Sequence, residues 1–235
     1  MASRKPQERR SEGSSAPRIS RREALLGAAV AGVATSFASS TAAAAPKKNG
    51  WESSYSGGPE RAPSAPGQPG TDYRPTFTPG GSTLPFKVVD GVKVFHMIAE
   101  EVDHQFAPGL EAKCWGYNGQ VHGPTIEAVE GDRVRVYVTN RLDAPTTVHW
   151  HGIFLPNGMD GVGGLNQRAI KPGETFKYEW TFRQHGTFMY HSHHDEMTQM
   201  AMGMMGMIVV HPRKPPPGYA VDRDFVITVS YTHLR

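Results

Sequence analysis

Two short histidine pairs are the residues of this sequence with the clearest capacity for chemistry. His149 and His151 stand two apart in TVHWHGIFLP, and His191 and His193 stand two apart in GTFMYHSHHDE. In an extended chain, residues i and i+2 face the same side, with α-carbons about 6.6 Å apart at ~3.3 Å per residue. Each pair therefore presents both imidazoles to one side of its segment, and we predict that the four residues bind metal.

The spacing also limits what each pair can hold. Two ligands at about 2.0 Å from one tetrahedral ion lie only about 3.3 Å from each other, closer than parallel imidazoles from i and i+2. Facing pairs therefore favour several adjacent ions over one. Neutral imidazole binds copper, zinc and iron alike, so spacing alone leaves the element open. His194 would point to the opposite face of its strand, and we expect it behind the ligands or at the surface.

A methionine-rich segment follows the second pair. Met197, Met200, Met204 and Met207 fall at helix-like intervals within YHSHHDEMTQMAMGMMGM, and residues 194–205 are the one stretch after residue 84 with a helical period. Thioether sulfur is a soft ligand for cuprous ion. Methionine more often fills irregular gaps beneath a helix, so we favour packing over a copper-collecting surface.

The elements that must position these residues read as short strands. Val134, Val136 and Val138 alternate with Arg133 and Arg135, which indicates a strand with one buried face. Turn sequences at DG (90–91), EGD (130–132) and KPGE (171–174) separate further alternating segments. Many short strands at regular spacing predict an all-β sandwich or barrel.

The first 83 residues are not predicted to form strands of that sandwich. Residues 1–45 read as a signal peptide, with Arg21-Arg22 resembling a twin-arginine export signal and an A-x-A site near residues 43–45. We therefore expect an exported protein, periplasmic or extracellular, with no membrane anchor after processing, because the apolar run is short and broken by glycine. Residues 46–83 are rich in glycine and proline and predict a flexible or partly draped linker.

Charge and cysteine content exclude other classes. Residues 1–46 hold seven of the 25 Lys+Arg and three of the 22 Asp+Glu, which leaves 18 basic and 19 acidic residues. A nearly neutral remainder argues against a nucleic-acid partner. Cys114 is the one cysteine, so no internal disulfide forms, and we expect it to be a small buried residue.

Four motifs together carry a family resemblance: NGQVHGPTIEAVEGDRVRVYVTNRL, TVHWHGIFLPNGMDGV, IKPGETFKYEWTFRQHGTFMYHSH and MGMMGMIVVHP. They resemble the first cupredoxin domain of multicopper oxidases, the family of laccases and bacterial copper oxidases. The resemblance implies a Greek-key β-sandwich, cupredoxin-like, over residues 84–213. It further implies half of a trinuclear copper cluster, coupling one-electron oxidation of a phenol or metal ion to reduction of dioxygen to water.

The same resemblance assigns roles to individual residues. It implies that His149 binds a type 2 copper, that His151 and His191 share one type 3 copper, and that His193 binds the other. Asp160 in NGMDGV matches the family's acidic residue beside the cluster, where a carboxylate serves as a proton relay. The alternative is that Asp160 and the following glycine form only a turn.

Part of the expected apparatus is not in this sequence. A type 1 copper needs a cysteine with two histidines, and Cys114 has no adjacent histidine. Residues 214–235 read as a linker and the truncated start of a second domain, ending in YTHLR. We therefore expect the chain to need further cupredoxin domains, or a neighbouring subunit, and to be inactive as an oxidase alone.

Three other classes contain similar histidine patterns. HSHHDE partly fits a dinuclear zinc hydrolase, although Glu196 stands where the last histidine belongs. A cupin would carry a glutamate four or five residues after its histidine pair, and neither pair has one. A non-catalytic copper-binding module is the third alternative.

Overall fold

The computed structural model describes residues 64–229, and within them the chain forms two facing β-sheets. A short 3-10 helix spans Asn157–Met159 and one α-helix, α1, spans Glu196–Ala201. The strands are β1 (Phe86–Val89), β2 (Val92–Ala107), β3 (Leu110–Tyr117), β4 (Ile126–Val129), β5 (Arg133–Asn140), β6 (Val148–His151), β7 (Thr175–Thr181), β8 (Gly186–Ser192) and β9 (Met205–His211). The predicted all-β sandwich is confirmed.

Strand order explains how distant segments become neighbours. The first sheet has the order β1-β2-β5-β7, and β3 also pairs with β2. The second sheet has the order β4-β9-β8-β6. Two pairs, β2 with β5 and β4 with β9, are parallel, and the remaining pairs are antiparallel. The second sheet therefore brings β6, which contains His149 and His151, into direct contact with β8, which contains His191 and ends one residue before His193.

The predicted turns lie where the sequence indicated. Asp90 and Gly91 both have positive φ, 49° and 74°, and join β1 to β2 as a tight hairpin. Residues 130–132 separate β4 from β5, but these two strands belong to different sheets, so the turn carries the chain across the sandwich. Long β2 and its pairing with β3 through residue 107 were not predicted from the sequence.

The core lies between the sheets and is rich in aromatic side chains. Val134, Val136 and Val138 are buried, as their alternation predicted. Trp150 packs 4.8 Å from Trp180 and 5.2 Å from Tyr178, measured between ring centroids. Cys114 is buried with a free thiol, which confirms that expectation. Burial of this kind supplies the main stabilising free energy of a sandwich without disulfides.

The segments flanking the strands lie against the sandwich as far as the structure describes them. Residues 64–83, part of the predicted linker, bury Tyr73 and Thr76. The backbone amide of Phe77 donates to the carbonyl of Asp224, and that of Val226 donates to the carbonyl of Phe77. The predicted signal peptide and the YTHLR ending lie outside the described residues. Between residues 64 and 229, no helix has the length and apolar character needed to cross a membrane.

The methionine-rich segment does not form the single helical stripe that its spacing suggested. Helix α1 ends at Ala201, and β9 begins at Met205. Met204 is fully buried, in agreement with a packing role, whereas Met197 is 88% exposed. The helix-like spacing gave a wrong prediction because Gly203, with φ of 116°, ends the helical backbone between Met197 and Met204.

Candidate metal centre

Strands β6 and β8 form the base of the site. They pair antiparallel with His149 opposite His191 and His151 opposite Met189. Trp150, between the first two histidines, is fully buried in the core. Because side chains alternate across a strand, His149 and His151 point away from the core, toward the outer face of the sheet. The structure thus places the two histidine pairs next to each other.

The four imidazoles form one cluster around His149. Its ring centroid lies 5.4 Å from that of His151, 5.3 Å from that of His191 and 5.4 Å from that of His193. The His151 and His191 centroids are 5.4 Å apart. The His191 and His193 rings are separated by 6.0 Å and are nearly parallel. All four predicted ligands are therefore side by side.

Backbone carbonyls fix two of the rings. Nδ1 of His149 lies 2.7 Å from the carbonyl oxygen of Asp160, and Nδ1 of His191 lies 2.8 Å from the carbonyl oxygen of Ser192. A carbonyl can only accept, so Nδ1 carries the proton in both rings. This tautomer leaves Nε2 of His149 and of His191 as the atom with a free lone pair, as in histidines that bind metals.

The closest pair of nitrogens matches a shared ion. Nδ1 of His151 lies 3.2 Å from Nε2 of His191, near the separation of about 3.3 Å expected for two ligands on one tetrahedral ion. One ligand atom from each of His149, His151 and His191 falls within 4.8 Å of the others. These three side chains are therefore close enough to hold a metal ion together.

Burial keeps His191 in its ligating form. Burial lowers the pKa of His191 below its usual range, and the neighbouring imidazoles of His149 and His151 act in the same direction, although the Ser192 carbonyl opposes them. A metal ligand must be neutral, so a lowered pKa keeps Nε2 available at neutral pH.

Asp160 lies beside the cluster as well as in a turn. Its carboxylate Oδ1 is 3.5 Å from Nδ1 of His149, and its side chain is 34% exposed. Asp160 follows the 3-10 helix, and Gly161 has φ of 82°. A Cβ on Gly161 would meet the Val148 carbonyl oxygen at 1.8 Å, so the loop approaches β6 this closely only with glycine. The turn is thus what brings the carboxylate to the histidine.

Two further residues at the site were not identified from the sequence. Glu196 places its carboxylate oxygens 3.6 Å from Nε2 of His193 and 3.8 Å from Nδ1 of His191. Gln199 is buried and accepts from the hydroxyls of Thr146 and Ser192, while its amide donates to the Pro145 carbonyl at 2.8 Å. This contact ties the end of β8 to the start of β6. No spacing rule distinguishes either residue from a solvated helix side chain.

His194 and Asp195 lie at the edge of the cluster. The backbone amide of His194 donates to the Ser192 hydroxyl at 3.4 Å, and its side chain is half-buried. Asp195 is exposed and has positive φ. Among the described residues, the group of side chains close enough to share an ion consists of His149, His151 and His191, so it includes neither of these residues, nor His193.

Known proteins are similar to this chain in sequence and in fold. A family model described as multicopper oxidase matches residues 99–215. Copper resistance protein A of Escherichia coli is 41% identical over 122 residues, covering 52% of this chain and 20% of that protein. Laccase-2 of Cryptococcus neoformans var. grubii is 40% identical over 128 residues, covering 52% of this chain and 21% of its own length. A multi-copper oxidase structure from Pseudomonas thermotolerans matches with 40% identity and a TM-score of 0.52, covering 54% of this chain and 31% of that one.

Proposed function

Because this chain belongs to the multicopper oxidase family, we propose that its cupredoxin-like domain supplies half of the ligands of a trinuclear copper cluster. The chain spans about a fifth of the length of the curated relatives that it matches. The observation that carries the proposal is the 3.2 Å separation of His151 Nδ1 and His191 Nε2, with two further imidazoles beside them.

The four histidines have distinct positions in this proposal. His151 and His191 hold one type 3 copper, His193 holds the other, and His149 holds the type 2 copper. Bound copper supplies one-electron redox chemistry and the place where dioxygen is reduced. The chain contributes orientation, since the carbonyls of Asp160 and Ser192 fix the rings before metal arrives.

Asp160 is proposed to move protons at this site. Reduction of dioxygen to water consumes protons, and a carboxylate reached by solvent can pass them inward through water. The Asp160 carboxylate is partly exposed and lies 3.5 Å from the ring of His149, so it connects solvent with the cluster. The backbone carbonyl of Asp160, and not its carboxylate, accepts the short hydrogen bond from His149.

The whole protein is proposed to be an exported oxidase that takes electrons from a phenol or a metal ion. The twin-arginine pattern at residues 20–26 supports export. Within this chain, the one cysteine is Cys114, and burial raises the pKa of its thiol, which disfavours the thiolate that a type 1 copper requires. Further cupredoxin domains or a neighbouring subunit are therefore proposed to supply electron entry, and this chain alone to bind copper without oxidase turnover.

Copper loading tests the ligand assignment directly. The chain is dialysed against cupric ion, and the bound metal is measured by elemental analysis and electron paramagnetic resonance. We expect the double variant His151→Ala/His191→Ala to lose copper relative to the unmodified chain. The control His96→Ala/His185→Ala changes two exposed histidines and should retain it. Equal retention by both variants, or preferential loss in the control, would contradict the site.

The role of Asp160 is tested in the full-length protein. We expect Asp160→Asn to slow dioxygen reduction by about 10²-fold, the lower end for general acid–base groups. Copper content should stay unchanged, because the backbone carbonyl still accepts from His149. Asp143→Asn, at an exposed carboxylate, is the matched control. Normal turnover of Asp160→Asn, or loss of its copper, would remove the proton role.

A further inference from the structure

Methionines continue the histidine cluster across the outer face of the second sheet. Strand β8 pairs with β9 so that His191 is opposite Met205 and Met189 is opposite Met207. On its other side, β8 places His191 opposite His149 and Met189 opposite His151. Directly opposed residues share a face. The outer face therefore carries two parallel rows of three side chains: His149–His191–Met205 and His151–Met189–Met207.

We propose that Met189, Met205 and Met207 form a second metal site, selective for a soft monovalent ion such as cuprous ion. Opposed residues in an antiparallel pair have Cβ atoms about 4.5–5.5 Å apart. Met189 and Met207 are such a pair, whereas Met205 is opposite His191 and lies diagonal to Met189, at about 7–8 Å. Methionine has three rotatable side-chain bonds, which let sulfur atoms at these spacings converge. Thioether sulfur prefers Cu(I) over divalent first-row ions.

Burial separates these three methionines from those that pack the core. Met97 and Met204 are fully buried, whereas Met189, Met205 and Met207 are half-buried. The opposite face of β9 supplies Ile208 and Val210 to the core, whereas Met189, Met205 and Met207 are neither in the core nor among the side chains packed against it. The three methionines are thus not gap fillers between the sheets.

The outer face around Met207 is accessible to an ion from solvent. Met207 lines an open cavity together with Thr187, Val209 and the segment 224–227. Thr187, the next outward residue of β8 after Met189, is exposed. Strand propensity does not explain why methionine occupies these three positions, since β-branched and aromatic residues are the preferred strand formers.

This site goes beyond the proposed oxidase function and can fail independently of it. Thioethers carry no proton to lose on binding, whereas imidazoles must be deprotonated. The double variant His151→Ala/His191→Ala removes the two imidazoles that lie closest together and leaves Met189, Met205 and Met207 unchanged. A soft ion that binds this variant as tightly as it binds the unmodified chain therefore does not depend on that histidine pair.

The test uses Ag(I), a redox-inert soft ion, and the chain labelled with ¹³C at its methionine methyl groups. Cys114→Ala removes the one thiol that would compete for silver. Both with the histidines intact and in His151→Ala/His191→Ala, we expect the methyl signals of Met189, Met205 and Met207 to shift together and to saturate at one ion per chain. The signal of the exposed Met197 should not move.

Variants then assign the binding to this face. Met189→Leu/Met207→Leu keeps similar side-chain volume, and we expect its affinity for Ag(I) to fall about tenfold or more. The matched control Met197→Leu/Met200→Leu, in helix α1, should leave affinity unchanged. Shifts confined to Met197 and Met200, or no shift at any methionine, would overturn the proposal. Because the methyl shifts are first measured with all three methionines present, the test does not depend on how the variants fold.

Discussion

Two histidines on the same sheet, His191 and His211, are both nearly buried, with side chains 4% and 3% exposed, and have opposite surroundings. Nε2 of His211 lies 2.9 Å from a carboxylate oxygen of Glu127, and its ring stacks on Tyr73 at 4.3 Å. Nε2 of His191 faces another imidazole, and its closest carboxylate, that of Glu196, is 3.8 Å from Nδ1.

The same contrast extends to the charged groups around each histidine. At the His211 end, Lys93 and Asp132 are fully buried and 2.8 Å apart, and Arg213 adds a second contact to Asp132 at 2.8 Å. At the His191 end, four imidazoles converge, and Glu196 is the nearby acid. Paired charges satisfy one another and fix the fold, whereas neutral nitrogens that face each other are open to a cation. The kind of partner, more than burial, separates a structural histidine from a candidate ligand.

The largest effect is expected where a charge would lose its partner. Asp132→Asn leaves the buried ammonium of Lys93 without a countercharge, which costs about 3–5 kcal/mol in the free energy of unfolding. Urea denaturation measures this loss. Copper bound per folded chain should not change, because the substitution lies away from the imidazole cluster.

Two further variants sharpen this prediction. Asp103→Asn breaks the ion pair with Lys113, which has a similar length of 2.9 Å but side chains that are 85% and 82% exposed, and it should cost much less stability than Asp132→Asn. Adding Lys93→Met to Asp132→Asn removes the unpaired charge and should recover part of the stability. Equal losses at the exposed and buried pairs would refute the distinction.

The sequence predicted the features that depend on residues close together in the chain and missed those that depend on contacts between distant segments. His149 and His151, like His191 and His193, are paired by local alternation, so their shared orientation was readable from the chain. The rows that add Met189 and Met207 depend on the register between β8 and β9, with helix α1 between them. No local period encodes that register, and the helix-like spacing of the methionines pointed elsewhere.

Buried charges were hidden from the sequence for a related reason. Lys93 lies between Val92 and Val94, where alternation predicts a solvent-facing side chain, yet it is fully buried beneath Tyr73 and Phe86. Residues 64–83, which cover it, read as linker because they lack an apolar period. The ion pair with Asp132 offsets the cost of burying the Lys93 ammonium.

A smaller effect is expected at His211. His211→Ala removes a hydrogen bond to the buried Glu127 carboxylate and the stacking on Tyr73, which costs about 2 kcal/mol, in the range for hydrogen bonds to charged groups. Denaturation at neutral pH measures it, with His96→Ala as the exposed control, whose hydrogen bond to Thr139 should matter little. If both substitutions cost the same, pairing does not define the structural histidine.

The smallest effect is the pH dependence that His191 gives to the metal-free chain. Burial lowers its pKa in the folded state below the unfolded value, so between these two values the unfolded chain binds more protons. Stability then rises with pH across that window, and the contribution of neutral His191 is lost as pH falls from the unfolded value of about 6.5 toward the folded one. His191→Gln cannot take up this proton, so its unfolding free energy should fall less between neutral and acidic pH than that of the unmodified chain. Added copper should steepen the dependence more in the unmodified chain than in His191→Gln, since metal and proton compete for Nε2 of His191. An unchanged pH slope in His191→Gln would mean that burial of the His191 ring does not contribute to the pH dependence of stability.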